Sequence, residues 1–250
     1  MIKTAYASNI GRVRKSNQDF VQIFKNRKDI MMAIVADGMG GHQGGDVASS
    51  MAVNHLGHGF ALSDFADLET AKTWLKVNLS LENETILSTS SRFSDLRGMG
   101  TTIVLAVLFD DEVLLAHLGD SRAYLLRKNE FLQITQDHSL VNELLKSGQI
   151  TPEEAAHHPQ KNVVTETLGV SSVIKPEYTE LMAQEGDLLL LCTDGLTNSL
   201  SNKQIKDILL QKKTLQEKSD ELIVAANKFG GQDNITVCLI NYGKEDASND

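Results

Sequence analysis

Three apolar runs of strand character each end or begin at an aspartate. Residues 31–36 run into Asp37, residues 188–193 run into Asp194, and Asp233 lies just before the apolar residues 235–240. A carboxylate at the end of a buried strand is unfavourable unless a cation offsets its charge. Several such carboxylates, brought together from distant parts of the chain, indicate a hard divalent cation held by oxygen ligands.

The distribution of strand and helix patterns predicts an α+β fold. Residues 101–134 are almost entirely strands and hairpins, whereas long helical patterns over residues 45–60, 68–89 and 215–229 lie before and after them. Regular alternation of strand and helix is missing, which argues against a parallel doubly wound sheet. Two packed antiparallel sheets, a β-sandwich flanked by helices on both outer faces, fit the pattern better.

Composition limits which partners the protein can bind and in which compartment it is expected. The net charge of −9 disfavours nucleic-acid and anionic-membrane binding, and no apolar run reaches the ~18 residues of a membrane helix. Cys192 and Cys238 lie inside apolar runs, which predicts buried free thiols, and the N-terminus has no signal-peptide pattern. We therefore expect a cytoplasmic protein with a single domain over residues 1–242 and a polar tail over 243–250.

Each acidic motif alone is also typical of an ordinary turn. Asp37-Gly38-Met39-Gly40-Gly41 and Thr193-Asp194-Gly195 are Asp-Gly turns after a strand, and residues 230–234 form a glycine-rich turn before one. Since glycine adds no Cβ, the backbone at Gly38 can turn its carbonyl toward a cation. Three strand-end aspartates close to glycine favour a metal site more strongly than any one of them.

Two further motifs place an arginine close to an aspartate. Arg14 lies five residues before Asp19, and a guanidinium binds phosphate with a bidentate fork. The alternative for Arg14 is a surface ion pair. Asp120, in the turn Gly119-Asp120-Ser121-Arg122, is either a metal ligand or the ion-pair partner of Arg122.

Taken together, the motifs resemble those of the metal-dependent serine/threonine protein phosphatases of the type 2C family, in its compact bacterial form. The resemblance covers nearly the whole chain. Six motifs occur in the family's order, namely residues 9–19, 37–41, 100–102, 119–122, 193–195 and 231–236. Six ordered motifs are a specific signal, and they imply a β-sandwich flanked by helices with Mn²⁺ or Mg²⁺ at one end.

By motif position, the resemblance implies a role for each site residue and two to three Mn²⁺ or Mg²⁺ ions per chain. Asp37 is the bridging ligand, and Gly38 offers its carbonyl beside it. Asp194 and Asp233 bind the first metal, and Asp120 joins Asp194 at a third-metal site. Asp19 is an outer acid that orders metal-bound water, and Arg14 binds the phosphate.

The activity implied by the resemblance is hydrolysis of phosphoserine and phosphothreonine in proteins by attack of a metal-bridging hydroxide on phosphorus. The implied partners are phosphorylated proteins, including a cognate serine/threonine kinase and its substrates, and the enzyme is expected to be a monomer.

One alternative is a catalytically weak regulatory module of the same fold that binds phosphoproteins. Intact Asp37, Asp194 and Asp233 argue against it. A two-metal phosphodiesterase is a third possibility, disfavoured for nucleic acids by the acidic charge.

Three features of the chain depart from, or add to, this pattern. Met39 stands where animal members carry the histidine proposed as the general acid, and His42 is the nearest substitute. Gln18 replaces a glutamate of the animal members and weakens the outer negative charge. By family position, residues 139–168, directly after His138, correspond to a mobile flap over the active site. The pair His157 and His158 could be zinc ligands, but no cysteine lies nearby, and a solvated loop is favoured.

A general-acid role for His42 predicts a loss that depends on the leaving group. A serine alkoxide needs a proton when it leaves, whereas nitrophenolate does not. His42→Ala should therefore lose about 10²–10⁴-fold in turnover on a phosphopeptide and much less on nitrophenyl phosphate, measured at saturating Mn²⁺. Equal losses on both substrates would contradict the role.

Overall fold

The computed structural model describes residues 1–40, 44–156, 158–161 and 163–243. Its strands are β1 (Ile2–Asn9), β2 (Asp19–Lys25), β3 (Met31–Met39), β4 (Gly100–Thr101), β5 (Ile103–Leu108), β6 (Glu112–Leu118), β7 (Arg122–Arg127), β8 (Glu130–Gln133), β9 (Glu177–Met182), β10 (Leu188–Cys192) and β11 (Ile235–Tyr242). Its α-helices are α1 (Gly44–Ala61), α2 (Leu68–Arg92), α3 (Leu140–Lys146), α4 (Pro152–Ala156), α5 (Asp194–Thr197), α6 (Asn202–Leu209) and α7 (Leu215–Lys228).

The strands form two antiparallel sheets packed face to face. The first sheet has the order β1-β11-β10-β7-β8, and the second has the order β2-β3-β5-β6-β9 with β4 paired to β3. Helices α1 and α2 cover the outer face of the second sheet, and α6 and α7 cover that of the first. The predicted fold class, a β-sandwich flanked by helices on both outer faces, is confirmed.

The near-continuous apolar runs follow from burial of both faces of the central strands. On β10, Leu190 and Cys192 pack under the helices, whereas Leu189 and Leu191 face the opposite sheet. Cys238 on β11 also faces the opposite sheet. The two cysteines therefore belong to different layers of the core, and both are buried free thiols, as predicted.

One predicted strand is divided in two. The sequence pattern predicts a single strand over residues 101–109, but β4 ends at Thr101 and β5 begins at Ile103. Thr102 between them donates its backbone N–H to the Asp37 carbonyl, and its hydroxyl accepts from the Asp37 N–H. The interruption therefore ties this segment to the end of β3, where Asp37 lies.

The segment 139–168 carries the short helices α3 and α4. Ser139 caps α3 by accepting from the Asn142 N–H, and Ser139 also pairs with Val164 across the segment. Leu168 pairs with Thr101 of β4. Both ends of the segment are thus fixed beside the strand ends. None of the helices in the described ranges is long and apolar enough to cross a membrane.

A buried acid joins the two helices over the second sheet. Glu82 on α2 is 5% exposed, and its Oε2 lies 2.9 Å from His55 Nδ1 on α1. Burial raises the pKa of Glu82 from 4.5 to about 7, although His55 lowers it in part. A raised carboxyl pKa stabilises the fold while the group is protonated. That contribution is complete below the unfolded-state pKa and is lost as the pH rises through about 7.

Glu82→Gln should remove this titration. Relative to wild type, the variant's unfolding free energy should gain about 1–3 kcal/mol between about pH 5 and pH 8, measured by urea denaturation at both values. Glu84→Gln, at an exposed position of the same helix, is the matched control and should show a constant difference. A constant difference for Glu82→Gln as well would show that Glu82 does not titrate in this range.

Candidate metal centre

The predicted acidic residues meet in one cleft where strands of both sheets end. The cleft has a volume of about 280 Å³ and is lined by Arg14, Asp37, Gly38, Asp120, Asp194 and Asp233 together with Gln18, Met39, Thr102, Val164 and Asn234. Asp19 lies directly behind it, since it pairs with Asp37 across β2 and β3. The structure therefore brings together all the sequence-predicted site residues that it describes. His42 lies outside the described residues, and its role stays a prediction.

The two sheets supply the acids from different strand ends. Asp194 begins α5 directly after β10, and Asp233 lies just before β11, which is antiparallel to β10. The two turns pack so closely that a Cβ on Gly195 would lie 1.9 Å from the Asn234 carbonyl oxygen. Gly38 is under the same restriction, because its Cβ would lie 1.9 Å from the Gly45 carbonyl oxygen. Gly195 thus lets the turn of Asp194 approach that of Asp233, and Gly38 lets the end of β3 approach the start of α1.

Crowding of buried carboxyl groups disfavours their charged forms. Burial, with a smaller contribution from the charges of Asp194 and Asp233, raises the pKa of Asp19 to about 7, although hydrogen bonds from threonine side chains lower it in part. Burial, followed by the charges of its acidic neighbours, holds the pKa of Asp37 well above its ordinary value. The pKa of Asp120 is raised to about 7 for the same reasons. Protein charges alone do not neutralise this cluster.

The residues present fit a bound divalent cation. Asp19 is 6% exposed, and its Oδ2 accepts from the Thr193 hydroxyl at 2.9 Å. Its Oδ1 is buried and has no hydrogen-bond partner among the described residues, and the same holds for Asp194 Oδ1. A buried carboxylate oxygen without a donor is costly, and oxygen ligands are what Mg²⁺ and Mn²⁺ prefer.

Arg14 enters the cleft as an ion-pair partner. Its Nη2 lies 2.6 Å from Asp233 Oδ2, and the two side chains are 49% and 31% exposed. The ion pair that the sequence left open is thus present, with one of the predicted ligands as its partner. An exposed pair of this kind contributes at most about 1 kcal/mol, so a cation and a phosphate can readily replace it.

Arg122 does not pair with Asp120. Its guanidinium binds Asp137 with two parallel hydrogen bonds, Nε to Oδ1 at 2.8 Å and Nη2 to Oδ2 at 2.6 Å. The ion-pair alternative for Asp120 is therefore wrong. Asp120 keeps its carboxylate available to the cleft, opposite Asp194.

Comparison with known proteins agrees with this geometry. The family model described as protein phosphatase 2C matches residues 11–227. The chain belongs to the protein phosphatase 2C family. The protein phosphatase PhpP of Streptococcus pneumoniae is 43% identical over 240 residues, which cover 96% of this chain and 97% of PhpP. The serine/threonine phosphatase stp of Listeria welshimeri is 43% identical over 236 residues, which cover 94% of each chain.

Solved structures show the same relationship. The serine/threonine phosphatase of S. agalactiae superposes with a TM-score of 0.94 at 44% identity, covering 96% of this chain and 99% of that one. The Mycobacterium tuberculosis phosphatase PstP/Ppp superposes with a TM-score of 0.83 at 35% identity, covering 97% and 99%. The resemblance in the sequence motifs is confirmed, and the chain is a protein serine/threonine phosphatase of a metal-dependent family.

A second group of ligand-type side chains lies beside the cleft of this phosphatase. One ligand atom from each of His117, His138 and Glu177 lies within 4.8 Å of the other two. His138, which directly precedes the segment expected to form a solvated loop, is 9% exposed and hydrogen-bonded. Its burial depends on contacts with β6 and β9, which are distant in sequence. His157 lies outside the described residues.

The sequence reasoning missed the role of Asn234. Its Oδ1 accepts from the Gln18 N–H at 2.8 Å, and its Nδ2 donates to the carbonyls of Ile10 and Ser16 at 2.9 and 3.0 Å. These bonds fasten the segment that carries Arg14 to the start of β11. The Asp-Asn pair before a strand was the only signal in the sequence, and it does not reveal partners more than 200 residues away.

Asn234→Ala should loosen this segment of the phosphatase. Three hydrogen bonds are lost, each worth about 1 kcal/mol. Trypsin should therefore cleave faster after Arg12, Arg14 or Lys15, as measured by mass spectrometry of the first fragments. KM for a phosphopeptide should rise several-fold through misplaced Arg14. Wild-type cleavage rates at these three sites would show that Asn234 does not hold the segment.

Proposed function

We propose that this phosphatase hydrolyses phosphoserine and phosphothreonine in other proteins with two to three bound Mn²⁺ or Mg²⁺ ions. One observation carries the proposal: carboxylates from both sheets converge on one cleft, and two of their buried oxygens, Asp19 Oδ1 and Asp194 Oδ1, have no partner in the described part of the chain. Membership of a metal-dependent phosphatase family supports the same conclusion.

The proposed ligands divide the cleft between the ions. Asp37, Asp194 and Asp233 would hold the first two, with the Gly38 carbonyl as a further ligand. Asp120, with Asp194, would hold a third. Asp19 would act from behind, where its free Oδ1 can accept a hydrogen bond from coordinated water. When bound, the ions supply the Lewis acidity that activates water and offsets the charge of the phosphate.

Arg14 would bind and orient the phosphate. Its guanidinium already lies in the cleft, attached to the Asp233 carboxylate. If Asp233 held a cation, its carboxylate would no longer be reserved for Arg14, and the guanidinium could form a charge-assisted fork on phosphate oxygens. The segment that carries Arg14 is held by Asn234, so the fork has a defined position relative to Asp37. Positioning and charge compensation are the main contributions a protein makes to phosphoryl transfer.

The catalytically weak binding module is not favoured. The relatives are named as phosphatases, and Asp37, Asp194 and Asp233 all line the cleft here. Binding to a phosphoprotein alone would not require carboxylates, because they repel a phosphate unless cations lie between them.

The cellular setting is also part of the proposal. Substrates are phosphorylated proteins, and a cognate serine/threonine kinase would be opposed in a signalling role. The buried free thiols of Cys192 and Cys238 favour a reducing compartment, the cytoplasm. We further propose a monomer with one catalytic domain over residues 1–242 and a tail over 243–250.

Asp233→Ala tests the ligand assignment. An incomplete ligand set holds the ion weakly, so turnover of nitrophenyl phosphate should fall close to background, and calorimetry should show loss of tight Mn²⁺ binding. Asp37→Ala should behave in the same way. Asp207→Ala, at an exposed position of α6, is the matched control and should keep wild-type values. Wild-type turnover of Asp233→Ala at saturating Mn²⁺ would overturn the assignment.

Arg14→Ala tests the phosphate contact separately from the metal. The fork is already formed with bound substrate, so KM for a phosphopeptide should rise more than kcat falls, while calorimetric Mn²⁺ binding is retained. Lys15→Ala, the neighbouring cation in the same exposed segment, should leave KM within about twofold. An unchanged KM in Arg14→Ala would show that this arginine serves only as the ion-pair partner of Asp233.

A further inference from the structure

His138 forms a two-bond clasp on the turn that carries Asp120. Its backbone N–H donates to the Gly119 carbonyl at 2.9 Å, and the Gly119 N–H donates to His138 Nδ1 at 3.2 Å. On its other side the turn packs tightly against Thr102, since a Cβ on Gly119 would lie 2.6 Å from Thr102 Cγ2. The backbone that carries the Asp120 side chain is therefore held in place on two sides.

The clasp requires one tautomer of the imidazole. Because Nδ1 accepts from the Gly119 N–H, the neutral ring must carry its proton on Nε2. Nε2 lies 3.3 Å from Glu177 Oε1, which is within ion-pair distance. A carboxylate beside one ring nitrogen favours a proton on that nitrogen and leaves the other free to accept, as it does for histidines around metal sites.

The His117 ring braces His138. The two rings stack with centroids 4.7 Å apart and planes at 15°. His117 Nε2 donates to the Gln136 carbonyl at 2.9 Å, two residues before His138. The His138 carbonyl in turn accepts from the Thr165 N–H at 2.9 Å, next to Val164, which lines the cleft.

We infer that His138, oriented by Glu177, is a positioning residue that aims Asp120 at the third-cation site. The inference rests on the proposed function, which gives Asp120 and Asp194 that site. His138 does not itself touch the ion or the substrate. It acts through Gly119, and Glu177 acts through His138.

The same hydrogen bonds oppose a metal ion bound by His117, His138 and Glu177. An ion at His138 Nε2 would move the ring proton to Nδ1, where it would meet the Gly119 N–H. An ion at His117 Nε2 would displace the proton donated to Gln136. The three side chains lie at metal-binding distances, but the hydrogen bonds at His117 Nε2 and at His138 Nδ1 place the ring proton of both imidazoles on Nε2.

The tautomer is tested directly by ¹⁵N spectra of the histidine side chains in metal-free protein. We expect His138 with protonated Nε2 and bare Nδ1, and no change on adding Zn²⁺. An Nδ1-protonated ring, or loss of the Nε2 proton with Zn²⁺, would overturn the inference. This readout does not depend on catalysis, so it stands or fails separately from the proposed function.

The positioning effect is tested by Mn²⁺ calorimetry on the full chain. The third-cation site has the fewest proposed protein ligands, Asp120 and Asp194, so it is expected to be the weakest site. His138→Leu should leave the other sites unchanged and weaken this weakest site about 10–100-fold, the usual effect of losing such a partner. His138→Asn places an amide oxygen close to the Nδ1 position and should recover affinity to within about threefold. Unchanged weak-site affinity in the Leu variant, or no recovery in the Asn variant, would overturn the inference.

Glu177→Leu provides a second variant at a half-exposed position, which keeps the test valid if His138→Leu does not fold. It should give a mixture of His138 tautomers and about threefold or greater weakening of the weakest site. Glu180→Leu on the same strand, whose wild-type carboxylate pairs with Lys72, is the control and should change neither readout. A wild-type tautomer and wild-type affinity in Glu177→Leu would contradict the role of Glu177.

Failure of the proposed function itself would give a different result: wild type would bind no Mn²⁺, or Asp233→Ala would bind it normally.

Discussion

Repulsion among carboxylates that the sandwich holds together at one end is the constraint on which this structure depends. Strand pairing puts Asp19 beside Asp37, and the β10 and β11 turns bring Asp194 and Asp233 to the same place. The apolar layers behind these turns prevent the acids from moving apart into water. The divalent cations proposed here would relieve the repulsion, so the fold and the metal dependence of the family are two consequences of one arrangement.

A layer of neutral hydrogen bonds surrounds the acids and gives each turn a fixed place. Thr102 bonds to the backbone of Asp37, Thr193 bonds to Asp19, and Asn234 holds the segment of Arg14. Each of these groups is polar but uncharged, so it positions an acid without neutralising it. Charge compensation is thereby left to the cations and the guanidinium. His138 extends this layer to Asp120 through the Gly119 backbone.

Much of the fold follows from local patterns. Strands such as β6, β7 and β11 are readable because runs of apolar residues are buried on both faces, and α2 and α7 begin at the predicted residues because Asp67 and Thr214 cap them. The acids at strand ends were also predictable, since their types and spacing follow a recognisable order. These features depend on residues close together in the chain.

Pairings between distant residues were not predictable in the same way. Arg14 binds Asp233, Arg122 prefers Asp137 to its neighbour Asp120, and His138 is buried against β6 and β9. Each choice depends on which side chains the tertiary fold brings within about 3 Å, where hydrogen bonds form. Nothing in the local sequence indicated that His138 would be buried, because its burial depends on long-range packing.

Anomalous scattering from crystals grown with Mn²⁺ tests the central claim most directly, because it locates the ions without reference to activity. The account predicts difference peaks among Asp37, Asp194 and Asp233, with a weaker one between Asp120 and Asp194, and none at His117, His138 and Glu177. A cleft without peaks, or a peak at the histidine group alone, would contradict it.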